Sequence, residues 1–163
     1  MSQKKTKKKT NGAMSDKWTF NGQEFKHEDY PWASGFVYLI TNKITGEWYI
    51  GKKFLTSVTR KKVKGRANRK VTRKASDWET YFGSSKRFLE NVEHYGRENF
   101  IREVLSIHEH RNDVNYHEMK QQVDRDVLND PLSYNDNIML RFYRREKIPK
   151  SAFSVLPKNQ DEP

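Results

Sequence analysis

Residues 35–51 read GFVYLITNKITGEWYIG: two short β-branched and aromatic runs, Phe36 to Thr41 and Glu47 to Ile50, on either side of the turn-rich Asn42-Lys43-Ile44-Thr45-Gly46. Strand side chains alternate between faces, and this composition suits a half-buried pleated surface, so the stretch predicts a β-hairpin. A loop from Asn42 to Thr45 sets Thr41 opposite Gly46 and Tyr38 opposite Tyr49, with both phenols on one face. A one-residue slip would send them to opposite faces.

The flanking sequence extends this hairpin into a domain. Upstream, Trp18 to Phe25 holds Asn21-Gly22 between aromatic-bearing segments, the pair that best accommodates a tight hairpin loop, and predicts a small accessory hairpin within residues 17–34. Downstream lies RKKVKGRANRKVTRK, Arg60 to Lys74; read as helix, it puts Lys64 on the same face as Arg60. Ser84-Ser85 then offers an N-cap for a helix from Lys86 to Tyr95, with Phe88 and Val92 one turn apart and Gly96 to end it. NFIREVLSI, Asn99 to Ile107, reads as a third strand. Asn112 or Asp113 is the expected cap of a last helix, with Tyr116, Met119, Val123 and Val127 as its apolar stripe, Glu118 off that stripe, and Pro131 as its end. The expectation is one α/β domain at 35–145, a small mixed three-stranded sheet flanked by helices, carrying a basic insert at 60–74. A disordered basic arm at 1–16 and a C-terminal tail at 146–163 complete the chain.

Charge narrows the function. The 163 residues carry a formal net charge of +11. Five lysines lie in MSQKKTKKKTNG and nine basic residues in 60–74, neither stretch holding an acid; setting these aside leaves the rest of the chain at −3. Positive charge this local calls for a polyanion that neutralises it and releases counterions, which favours nucleic acid over a membrane surface. No cysteine is present, excluding disulfides, thiolate zinc sites and thiol catalysis. His117-Glu118 does not make HExxH, because Gln121 stands where the second histidine is needed, so no histidine metal site is expected. No apolar run approaches the roughly 20 residues of a membrane span, and the expected setting is the cytoplasm.

Val37-Tyr38 and Tyr49-Ile50-Gly51, with ten residues between the tyrosines, resemble the paired signature of the GIY-YIG nucleases. GSSKRFLENVEHYGRENFIREVL is similar to that family's helix and third strand, and Glu118 and Tyr134-Asn135 occupy the places of its metal-binding glutamate and its asparagine. Within the family the chain most resembles the phage-borne Seg-type group, whose YIG element is followed by a basic insert and a WxxYxGS segment, here Trp78 to Ser84. Phe36-Val37-Tyr38 departs from Gly-Ile-Tyr, and its glycine, Gly35, lies one position early. The resemblance implies a phage-encoded, homing-type or mobile-element DNA endonuclease, dependent on Mg²⁺ and acting on double-stranded DNA in the host cytoplasm. The alternative is a non-catalytic nucleic-acid-binding module on the same scaffold.

Phosphodiester hydrolysis requires charge neutralisation, an activated water and a stabilised leaving oxygen. On the resemblance, Glu118 would hold the Mg²⁺, and Tyr38 and Tyr49 would bracket the water, with Tyr38 favoured as general base. A phenol titrating near 10 would need its pKa lowered by about three units, roughly 4 kcal/mol, to do this at neutral pH. Arg60, at the offset nearest the family's arginine, would stabilise the phosphate, with Arg66, Arg69 and Arg73 as rivals, and Asn135 would orient the site. Gly51 would let backbone or phosphate approach closely, and Lys52, Lys53, Lys61, Lys62, Lys64, Arg66, Arg69, Lys70, Arg73 and Lys74 would bind nucleic acid.

Overall fold

The computed structural model describes residues 16–144 and Glu146. The arm expected at 1–16, Asp16 apart, and the tail expected at 146–163, Glu146 apart, lie outside the described residues. In chain order the strands are β1 (Trp18–Phe20), β2 (Gln23–Glu24), β3 (Gly35–Asn42), β4 (Trp48–Phe54), β5 (Thr56–Lys61) and β6 (Lys70–Ala75). Helix α1 (Lys86–Tyr95), strand β7 (Phe100–His108), helix α2 (Arg111–Asp124) and the short strands β8 (Asn137–Ile138) and β9 (Phe142–Tyr143) follow.

The main sheet has five strands in the order β2-β1-β7-β3-β4, not the three expected. The reason is Trp18. Buried beside Phe36 and Tyr38, it carries the accessory hairpin onto the sheet, where β1 runs parallel to β7 with Trp18 opposite Arg102. Asn21 and Gly22 both take the positive φ that the two-residue turn requires.

The central hairpin forms with a longer loop than the sequence suggests. Thr41 pairs with Trp48, Ile40 with Tyr49 and Tyr38 with Gly51, a shift of two residues from the expected register. Because strand faces repeat every two residues, the shift moves Tyr38 and Tyr49 from directly opposite to diagonal but keeps them on one face. Asn42 supports the longer loop: its side-chain oxygen accepts from Ile44 N at 2.9 Å, and its backbone oxygen accepts from Gly46 N at 2.9 Å.

The two faces bury different cores. One gathers Trp18, Phe36, Tyr38, Ile40, Tyr49, Phe82, Phe88, Val92 and Phe100 beneath α1; the other packs Val37 and Ile50 against Val114, Val127 and Ile138. Helix α1 is as expected, with Ser85 accepting from Phe88 N, Phe88 and Val92 buried, and Gly96 ending it at φ 83°. Helix α2 is not. It begins at Arg111 after His110, with no side-chain cap, and ends at Asp124, well before Pro131. Its expected packing stripe splits: Tyr116 (55% exposed) and Val123 (58%) face outward, Met119 packs against the second core and Val127, past the helix end, is buried in it, while Val114, Glu118 and Gln122, spaced by four, face the sheet. The basic insert is likewise no helix, because Thr56–Lys61 and Lys70–Ala75 pair as an antiparallel ribbon. No helix among the described residues is long and apolar enough to cross a membrane.

Candidate active site

Strand β4 ends the main sheet, and an edge strand leaves a row of backbone groups to be satisfied. The segment after α2 satisfies them. Trp48 N donates to Leu132 O at 2.9 Å and Tyr134 N donates to Trp48 O at 2.8 Å. Asn135 then takes over with its side chain, Oδ1 accepting from Ile50 N at 2.9 Å and Nδ2 donating to Ile50 O at 2.8 Å. Gln122 Nε2 donates to the same carbonyl at 3.3 Å. Asn135 is thereby buried and spent on positioning β4.

Where the two sheet faces meet at this edge there is a cavity of about 720 Å³, walled by Tyr49, Lys52, Ser84, Ser85, Lys86, Asn115, Glu118, Gln122 and Asn135 to Asn137, with Met139 and Leu140 at the far side. Tyr49 and Lys52 point to opposite faces of β4, so only a cleft wrapping the strand edge can hold both. Glu118, presented by the inward face of α2, forms an ion pair with Lys52. Asp136, also on the wall, is gripped by Arg87 Nη1 at 3.1 Å, and Arg87 Nη2 donates to Ser133 O at 3.3 Å.

The phenols are not equivalent. Tyr49 stacks on Phe88 with ring centroids 5.0 Å apart, lies 6.2 Å from the Tyr38 ring, and borders the cavity. Tyr38 is sealed in the core under Gly51, where an added Cβ would collide with its hydroxyl. Gly51 is therefore a glycine because Tyr38 fills the space beneath it. Burial pushes the Tyr38 phenol well above its ordinary value, with the neighbouring Tyr49, Tyr81 and Glu118 adding to the rise. Tyr49 is raised as well, chiefly by burial, with Ser84 hydrogen bonding pulling the other way.

Of the residues singled out in the sequence, Tyr49, Lys52, Glu118 and Asn135 meet at one cavity, with Tyr38 directly behind. Arg60 does not line this cavity: on β5 it walls a second cleft with Arg73 and Arg111. Lys53 lies over the Tyr81 ring at 3.7 Å and pairs with Asp77 at 2.6 Å. Lys61 and Lys70 pair across the ribbon, Arg73 and Lys74 follow on β6, and Lys62, Lys64, Arg66 and Arg69 lie in its loop. Sequence reasoning missed Lys86, Arg87, Asn115 and Gln122. Gln122 sits one helical turn after Glu118, but choosing the wrong face of α2 hid that signal.

Glu118, Asn115, Gln122 and Asp136 offer oxygen ligands, and no group of three or more His, Cys, Asp or Glu gathers among the described residues. Two carboxylates with amide oxygens nearby, and no imidazole or thiolate among the described residues of the wall, suit a hard cation that retains water and takes phosphate oxygens, and do not suit zinc.

The class of the chain is given by a family-model match, that of the GIY-YIG domain. The family model described as "Putative endonuclease segE, GIY-YIG domain" matches residues 18–143, and the chain belongs to that family. Comparison with curated proteins and with solved structures finds no match.

Proposed function

We propose that the protein is a Mg²⁺-dependent endonuclease that hydrolyses phosphodiester bonds of double-stranded DNA at the β4 edge cavity. The observation carrying this reading is the convergence on one cavity of a phenol, Tyr49, a carboxylate, Glu118, and the ammonium group of Lys52 paired with it, with Lys86 on the same wall. Glu118 would hold the Mg²⁺, which supplies Lewis-acid polarisation of the scissile phosphate when bound. Lys52 and Lys86 neutralise phosphate charge. Arg87, one residue on and anchored through Asp136, takes the guanidinium role that the sequence offset gave to Arg60.

Tyr49 orients the attacking water and, once its hydroxyl has released its own proton to solvent, accepts the water's proton as a phenolate, since its ring borders the cavity while Tyr38 is sealed behind it. Both phenols are raised in the free protein, so ionising Tyr49 at neutral pH depends on the positive charge that a bound Mg²⁺ would supply beside Lys52. Asn135 and Gln122 act through β4 by fixing the Ile50 peptide. Family membership supports a phage-borne, mobile-element role in the host cytoplasm.

The test is supercoiled plasmid incubated with wild type, Tyr49→Phe and Glu118→Ala, in Mg²⁺ and in EDTA. Nicking by wild type in Mg²⁺ alone, lost in both variants, is expected. Equal nicking by all three proteins, or none by any, overturns the reading.

A further inference from the structure

The basic insert is sorted by residue type. Across the β5–β6 ribbon, Val58 pairs with Arg73 and Arg60 with Val71, whereas Ser57 pairs with Lys74, Thr59 with Thr72 and Lys61 with Lys70. Opposed strand residues share a face and faces alternate, so both strand arginines share one face with two valines and the three strand lysines share the other. The arginine face looks onto the body of the protein. With Ser34, Thr56, Glu109, His110 and Arg111 it walls a cleft of about 730 Å³. The root of the ribbon is fixed: Arg111 donates to Thr56 O at 3.0 Å and lies over the Phe54 ring at 3.5 Å, and Ser76 Oγ donates to Phe54 O at 2.6 Å.

This cleft is continuous with the candidate active site. Lys52 walls both the edge cavity and an adjoining depression that also holds Lys53, Asp77, Tyr81 and Arg111. Thr56, Val58 and Arg111 wall both that depression and the arginine cleft. A track of cations therefore runs Lys86, Lys52, Lys53, Arg111, Arg60, Arg73. Two of the carboxylates along it are paired, Glu118 with Lys52 and Asp77 with Lys53, and Glu109 stands at the far cleft.

We propose that the arginine-lined cleft grips the sugar–phosphate backbone of duplex DNA flanking the cut, so that the ribbon is a clasp, and that its lysine face is a solvated outer surface. The proposal rests on the nuclease reading above. Guanidinium forks match pairs of phosphate oxygens, and two of them flanking a valine floor offer a backbone both charge and apolar contact for its sugars. Arg60 lies eight positions after Lys52. Extended chain at about 3.3 Å per residue spans at most about 26 Å, and a DNA strand advances about 3.4 Å per nucleotide, so the track covers up to about eight base pairs on one side of the cut.

The test compares two charge-matched double variants, Arg60→Ala/Arg73→Ala and Lys61→Ala/Lys70→Ala, in the full chain. Binding is measured by fluorescence anisotropy to mixed-sequence duplexes of stepped length, in EDTA, over a salt series, with unchanged circular dichroism as the folding control. The arginine pair is expected to weaken binding about tenfold or more and to lower the slope of log affinity against log salt by about two, one per lost phosphate contact. It should also abolish the affinity gained on lengthening the duplex beyond the edge cavity. The lysine pair, removing the same charge, is expected to change affinity less than threefold and to keep the length dependence. Equal losses in the two variants, or an unaffected arginine variant, overturn the clasp. Wild type that cleaves plasmid in Mg²⁺ while the two variants behave alike sinks only the clasp; wild type that neither cleaves nor binds sinks the nuclease reading.

Discussion

Replacing Asn135 by alanine probes the joint that holds the candidate site together. The side chain makes two bonds to the Ile50 peptide, at 2.9 and 2.8 Å, and Ile50 is fully buried on β4. The Ile50 carbonyl keeps a second donor in Gln122, whereas Ile50 N depends on Asn135 Oδ1. An orphaned buried N–H costs about 1–3 kcal/mol and the shared bond about 0.5–1.5, so Asn135→Ala should destabilise by about 2–4 kcal/mol. At about 3 °C per kcal/mol for a chain of this size, Tm falls by about 6–12 °C. Gln122→Ala, leaving both Asn135 bonds intact, should cost only about 0.5–1.5 kcal/mol. The double variant should exceed the sum of the singles by about 1 kcal/mol, because the Ile50 carbonyl then loses its last donor. Urea unfolding with a common m-value gives all three numbers. Asn135→Ala within about 0.5 kcal/mol of wild type, or strict additivity, would refute the joint.

Other perturbations are equally specific. Gly51→Ala drives a methyl into the Tyr38 hydroxyl, whose ring is wedged against Trp18 at 5.0 Å, and should cost about 1–3 kcal/mol in urea unfolding. Arg102→Leu removes a guanidinium that is 1% exposed, donates to Glu79 O and Tyr81 O at 2.9 and 3.0 Å, and lies over the Trp18 and Phe82 rings; a loss of about 2–4 kcal/mol is expected by the same measurement. Burial, then the stacked His117, holds His108 below its ordinary value. A lowered folded pKa stabilises above about pH 6.5 and that contribution fades as pH falls through the folded value, so Tm should drop from pH 7 to 5 and drop less in His108→Gln. The raised Tyr38 acts at the other end, its contribution lost as pH rises from about 10 through the higher folded value.

Local signals in the sequence proved sufficient where local chemistry decides the structure. Ser85, Phe88, Val92 and Gly96 define α1 without help from the rest of the chain, and Asn21-Gly22 defines its turn. The two phenols kept a common face despite the shifted register, because an even shift preserves alternation. Three features depended on distant partners. Trp18 reaches β7 across about half the chain, which is why the accessory hairpin became part of the main sheet. In α2 the apolar stripe misled because the face turned to the sheet carries Glu118 and Gln122, polar residues retained for the site rather than for packing. Arg60 was placed by counting from Tyr49, but pairing of β5 with β6 carries it onto the ribbon and away from the edge cavity.

The most direct measurement is single-turnover cleavage of supercoiled plasmid by Glu118→Gln beside wild type, at protein concentrations where anisotropy shows equal DNA occupancy. Loss of one carboxylate charge with binding intact should lower the Mg²⁺-dependent rate by about a thousandfold or more. A Glu118→Gln rate within tenfold of wild type at equal occupancy would contradict the account.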